Sequence, residues 1–168
     1  MNEILLEIER ALSLGLYYPS ISMALSLPDI CGALEAKNRR ASPARYKAWF
    51  EKWMGDQYPE LTGDDIYCLR CGVLHEGTFG HHGMKYSKIL FSIPNPKGLT
   101  LHRNQFSGRD GAALNLDLAV FCQDIIASVA EWMKATADNE TVQANLTRLF
   151  TLHPHGVPPY IKGVPIIS

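Results

Sequence analysis

The chain has 168 residues, a formal net charge of −1, 46% hydrophobic and 20% charged residues. That length suits one domain with a sizeable core, the composition excludes a disordered chain, and the balanced charge excludes a whole-molecule field that would attract nucleic acid. Cys31, Cys68, Cys71 and Cys122 are too few and too scattered for a disulfide scaffold and read as reduced thiols, which points to the cytoplasm. The N-terminus MNEILLEIER is acidic and amphipathic rather than a signal peptide. No apolar run approaches the ~20 residues of a bilayer span, so no membrane contact is expected.

In chain order, Asn2 is expected to cap a first helix whose apolar stripe is Ile4, Leu5, Ile8, Leu12 and Leu16. A second helix is expected to start at Pro19 and run through Ser20–Lys37, with Pro28 kinking or dividing it because proline lacks an N–H and clashes with the preceding turn. Lys37-Asn38-Arg39-Arg40 is a basic link. Ser42 and Pro43 then predict the N-cap and first position of a third helix, with Tyr46, Trp49, Phe50 and Trp53 on one face as core.

Thr62 to Gly77, TGDDIYCLRCGVLHEG, reads as a fourth helix. Thr62 and Asp65 approximate a capping box, Ile66, Leu69, Val73 and Leu74 give it a buried side, and Gly77 suits a left-handed C-terminal residue. His81-His82 follow in a loop. Tyr86–Ile93 and Leu99–Phe106 are β-favouring and flank the turn signal Asn95-Pro96-Lys97-Gly98, which predicts a β-hairpin at about 85–106. Ser107–Gly111 reads as a loop. The longest helix is expected from about Asn115 to Ala137, and a last one from Asn139 or Asp138 to about Leu152. The expected organisation is one helical domain over 1–152 and an extended, proline-rich tail over 153–168, docked on its own domain or on a partner.

Three chemistries fit the fourth helix. In a metal site, Cys68, Cys71 and His75 would share a face and bind zinc, with a fourth ligand from the histidine loop. In a phosphodiester site, Arg70 would bind phosphate through its fork of N–H groups and His75 would move the proton of an RNA 2′-hydroxyl, with no metal or other cofactor. The pair lies five positions apart, about 140° round an α-helix and about 7.5 Å along it, so the Arg side chain would have to bend towards the ring. In the third, Arg70 pairs with a carboxylate such as Asp64 or Glu76 and His75 ends the helix.

Arg70-Cys71-Gly72-Val73-Leu74-His75 resembles the Arg-x4–6-His signature of the HEPN superfamily, and the helix order over Glu3–Ala137 resembles that fold. The resemblance implies an all-α bundle with a small β-hairpin inserted before the last long helix. It further implies a homodimer in which two motif helices form a composite, metal-independent endoribonuclease site. By matching, Arg70 binds phosphate and His75 is general acid/base, RNA is the substrate, and 2′,3′-cyclic phosphate is the product end. Asp29 and Glu35 on the second helix are the candidates for the acid that orients Arg70. Cys71 occupies the position where active members carry Asn, Asp or His. Members act in toxin–antitoxin and phage-defence systems, which implies an antitoxin or nucleotidyltransferase partner. Others are non-catalytic dimerisation or binding modules, and this is the alternative function.

Overall fold

The computed structural model describes residues 1–79, 84–95, 98–109 and 111–168. Six α-helices enclose the core: α1 (Asn2–Ser13), α2 (Tyr17–Leu34), α3 (Pro43–Trp53), α4 (Gly63–Cys71), α5 (Leu118–Ala135) and α6 (Glu140–Leu146). A π-helical turn over Gly72–Glu76 continues α4.

The second helix is the centre of the bundle, because it is apolar on all sides and packs against α1, α3, α4, α5 and α6. It begins two residues before Pro19, which still falls in the first turn where backbone N–H groups lack intrahelical partners. Pro28 lies buried inside it and does not divide it; with neighbours on every side, packing holds the helix where local propensity disfavours it. Its C-terminal carbonyls are met by a side chain from α6: Asn145 Nδ2 donates to Leu34 O at 2.8 Å and to Ala36 O at 3.2 Å.

The caps at Ser42 and Thr62 form as expected. Ser42 Oγ accepts from Arg45 N, and Thr62 and Asp65 exchange the bonds of a capping box. Asn2 is not the first cap, since Met1 occupies that position without a side-chain bond.

The expectation of an all-α fold is overturned. A three-stranded mixed sheet contains β1 (Lys88–Ser92), β2 (Asn104–Gly108) and β3 (Gly111–Asp117) in the order β1-β3-β2. β3 runs parallel to β1 and antiparallel to β2. The predicted hairpin between β1 and β2 therefore does not form; the tight connection joins β2 to β3, where Gly111 adopts a positive φ of 110°. Leu114 and Leu116 point one way from β3 into the core, and Asn115 and Asp117 on the other side are also buried. Leu116 falls within the stretch from about Asn115 that was expected to be the long helix, and it is strand instead. That helix begins at Leu118, because the Asp117 carboxylate accepts from Val120 N at 3.0 Å and closes its N-terminus.

The last helix stops at Leu146, short of Leu152. The proline-rich tail folds back on itself. β4 (Leu152–His153) pairs with β7 (Ile166–Ile167), and β5 (Gly156–Val157) pairs with β6 (Ile161–Lys162), both antiparallel. No residue from Thr151 to Ser168 is buried. Among the described residues, no helix is long and apolar enough to cross a membrane.

Candidate functional site

The site lies where α4 crosses the middle of α2. Asp29 follows Pro28 on α2 and has a half-buried side chain. Arg70 Nε donates to Asp29 Oδ2 at 2.8 Å, and Arg70 Nη2 reaches the same oxygen at 2.7 Å. Both side chains are mostly shielded, with 19% of Arg70 and 14% of Asp29 exposed. Burial pushes the Asp29 carboxyl above its ordinary value, and the charge and hydrogen bonds of Arg70 pull it part of the way back. Burial, the largest single influence, opposes the charge on Arg70, but the Asp29 carboxylate and the Cys71 sulfur together outweigh it and raise the arginine's affinity for the proton.

The other arm of the guanidinium points at the imidazole. Arg70 Nη1 lies 2.8 Å from His75 Nε2. An arginine has no acceptor, so Nε2 must accept and the ring proton sits on Nδ1. The ring is exposed, whereas Asp29 and the guanidinium lie deeper. The π-helical turn makes this contact possible. Its wider coil brings residue i+5 back over residue i, which removes the 140° offset expected on a regular helix. Gly77, at φ 67°, then ends the turn in the left-handed conformation.

Aromatic side chains support the arginine. Its Cζ lies 5.9 Å from the centroid of the Tyr67 ring, and Tyr67 packs edge-on against Tyr46 at 5.4 Å. Tyr46 is fully buried, and its hydroxyl donates to Leu25 O at 3.0 Å, one turn before Asp29. The sequence reading missed Tyr67 as part of the site. Its place three residues before Arg70, on the same helix face, was a usable signal.

Glu35 does not orient Arg70. It lies at the C-terminal end of α2, where its Oε1 accepts from the Trp132 indole at 2.6 Å. Of the two acids considered, only Asp29 meets the guanidinium, because position 29 faces α4 and position 35 faces α5. Cys71 Sγ lies 4.0 Å from Arg70 Nη1, a weak contact. Cys68 is half-buried, and burial pushes its thiol upward, against the thiolate a metal requires. Among the described residues there is no group of three His, Cys, Asp or Glu side chains placed to hold a metal ion. His81 and His82 lie outside the described residues. His153 faces Thr151 Oγ1 in the tail, at 3.1 Å.

Arg70 uses three of its five N–H groups on Asp29 and His75, leaving donors for an oxyanion beside a ring nitrogen that holds a lone pair. That arrangement suits anion binding coupled to proton transfer. In comparisons with protein-family models, curated proteins and solved structures, the chain matches none.

Proposed function

We propose that the chain is a HEPN-like endoribonuclease that needs no metal and works as a homodimer, with two copies of the Arg70–His75 pair lining one cleft. The observation that carries this reading is the line Asp29–Arg70–His75, in which a shielded carboxylate fixes the guanidinium and the guanidinium touches an exposed imidazole. In this reading the phosphate draws Arg70 Nη1 away from His75, and the freed Nε2 lone pair removes the proton of an RNA 2′-hydroxyl as its oxygen attacks phosphorus. The 5′-oxygen leaves and takes a proton from His75 of the second copy, which must start the cycle as the protonated ring with its own Arg70 contact open. The products are a 2′,3′-cyclic phosphate and a 5′-hydroxyl. Arg70 neutralises the charge that grows on the phosphoryl oxygens. Two copies also bring two Arg70 guanidinium groups into one cleft of a chain whose net charge is only −1. A nucleotidyltransferase or antitoxin partner, and a role as toxin or in phage defence, belong to the same reading.

The test is incubation of RNA with purified protein in EDTA, beside Arg70→Ala and His75→Ala. Cleavage by the wild type, reduced by about 10² to 10⁴ in each variant, is expected for a positioned acid–base group. A protein that stays monomeric at every concentration removes the composite site. The second reading, a non-catalytic binding module, is favoured by Cys71, which touches Arg70 only weakly where a stronger polar group would serve. It predicts a dimer that leaves RNA intact.

A further inference from the structure

The basic link after α2 has no part in the Arg70–His75 chemistry. From Ala36 to Phe50 the chain carries five cations and no acid, although its net charge is −1. Lys47 is engaged by Asp64. Among the described residues, no carboxylate pairs with Lys37, Arg39, Arg40 or Arg45.

This loop has a defined shape. Asn38 Oδ1 accepts from Arg40 N at 3.2 Å, and Arg45 Nη1 donates to Arg40 O at 2.6 Å. Arg39 sits at φ 54°, a left-handed conformation that is unfavourable for a long side chain. The loop borders a cavity of about 500 Å³ lined by Gly32, Glu35, Ala36, Lys37, Asn38 and Arg45. Glu35 is the one acid there, and its carboxylate is bonded to Trp132. Gly32 is buried and lets Arg45 approach closely: a Cβ at that position would meet Arg45 Cβ at 3.0 Å.

The loop also lies in line with the candidate site. Gly32 and Asp29 are one turn apart on the same face of α2, about 4.5 Å along the axis. Arg45 abuts the first and Arg70 grips the second. Cations spread from the loop to Arg70 match a run of phosphates better than one isolated anion.

We propose that Lys37, Arg39 and Arg40, in the loop braced by Arg45, bind the phosphate backbone of single-stranded RNA and lead it along α2 to Arg70 and His75. The direction of travel rests on the reading that this pair acts on RNA; the binding does not. These contacts carry no base specificity, as phosphate contacts do not.

The test is binding of a labelled oligouridine over a range of salt, for wild type and for Lys37→Gln/Arg39→Asn/Arg40→Gln. Asparagine tolerates the left-handed conformation at position 39, and the Arg40 carbonyl that Arg45 needs is kept. Each lost phosphate contact removes ~0.7 from the log–log salt slope for a single strand. The triple variant should thus bind on the order of a hundredfold more weakly at about 0.1 M salt, with a slope shallower by about 2. Lys88→Gln, on the exposed side of β1, should bind as wild type does. Equal binding by a triple variant whose melting temperature is unchanged overturns the proposal. So does a wild type that ignores RNA, including one that binds anionic vesicles instead. Loop-dependent binding without cleavage supports the docking site and defeats the catalytic reading. If cleavage occurs, the triple variant should raise KM and leave the rate at saturating RNA near that of wild type.

Discussion

Arg70 Nη1 lies 2.8 Å from His75 Nε2 although the two are five positions apart, because the helix carrying both widens into a π turn between them. A π turn is equivalent to one residue inserted into an α-helix, and such insertions are frequent at functional sites. Deleting Leu74 should let the segment relax to a regular helix and bring the histidine to i+4, still on the arginine's face. Cleavage by that variant should stay within about tenfold of wild type. Inserting an alanine after Gly72 instead moves the pair to i+6, and activity should fall to the level of His75→Ala. If both changes act alike, the register of this turn does not control the site.

The Asp29–Arg70 pair makes a second prediction. Both side chains are largely shielded from water, so Arg70→Ala leaves a mostly shielded carboxylate without its partner. Partial exposure discounts the penalty of a fully buried pair, and a loss of about 1–3 kcal/mol in urea unfolding is expected. Asp29→Asn/Arg70→Gln removes both charges and should lose less than Arg70→Ala alone. Strict additivity in a double-mutant cycle would show that the two residues do not couple.

The helical half of this fold was legible because its signals are local. The Ser42-Pro43 start, the Thr62/Asp65 box and the left-handed Gly77 each need only a few neighbouring residues. The sheet was illegible for the opposite reason. β1 finds β3 across an intervening strand, and no short-range pattern specifies that pairing. Gly98 N donates to Asn95 O at the ends of the turn signal, but the strands on either side of it do not pair with each other. Within the site, Arg70, His75 and Asp29 were visible as residue types, while the choice between Asp29 and Glu35 depended on which neighbour each side of α2 meets. The π turn had no sequence signal beyond the motif it contains.

That choice can be checked directly. Glu35→Ala strips the Trp132 indole of its acceptor and should cost about 1–2 kcal/mol of stability. RNA cleavage at saturating substrate should stay unchanged, whereas Asp29→Ala should lower it along with stability. Glu35→Gln keeps an acceptor for the indole and should recover most of the lost stability. A cleavage defect in a well-folded Glu35→Gln would return Glu35 to the site.

A polar chain on the far side of the bundle gives the pH dependence. Asp117 N donates to His102 Nδ1 at 3.1 Å, so that nitrogen holds a lone pair and Nε2 carries the proton. His102 Nε2 lies 3.2 Å from Tyr58 Oη, and Tyr58 donates to Asp124 Oδ2 at 2.5 Å. Arg103, at φ 59°, anchors the same segment through two bonds to the buried Glu60. Burial pushes the His102 pKa below its ordinary 6.5, against the upward pull of Asp124 and Asp117. A depressed pKa means that below 6.5 the unfolded chain takes up the proton first. The contribution of His102 is therefore complete above that value and declines as pH falls towards the folded pKa. Protonation would also set a new N–H against the Asp117 N–H. Melting temperatures from pH 7.5 down to 5 should fall more steeply for wild type than for His102→Gln. Asp29, whose folded-state pKa is raised above 3.8, acts with the opposite sign, its effect being complete only as pH falls to 3.8; it is common to both proteins and cancels in the difference. Parallel curves would show that this histidine's protonation is not linked to folding.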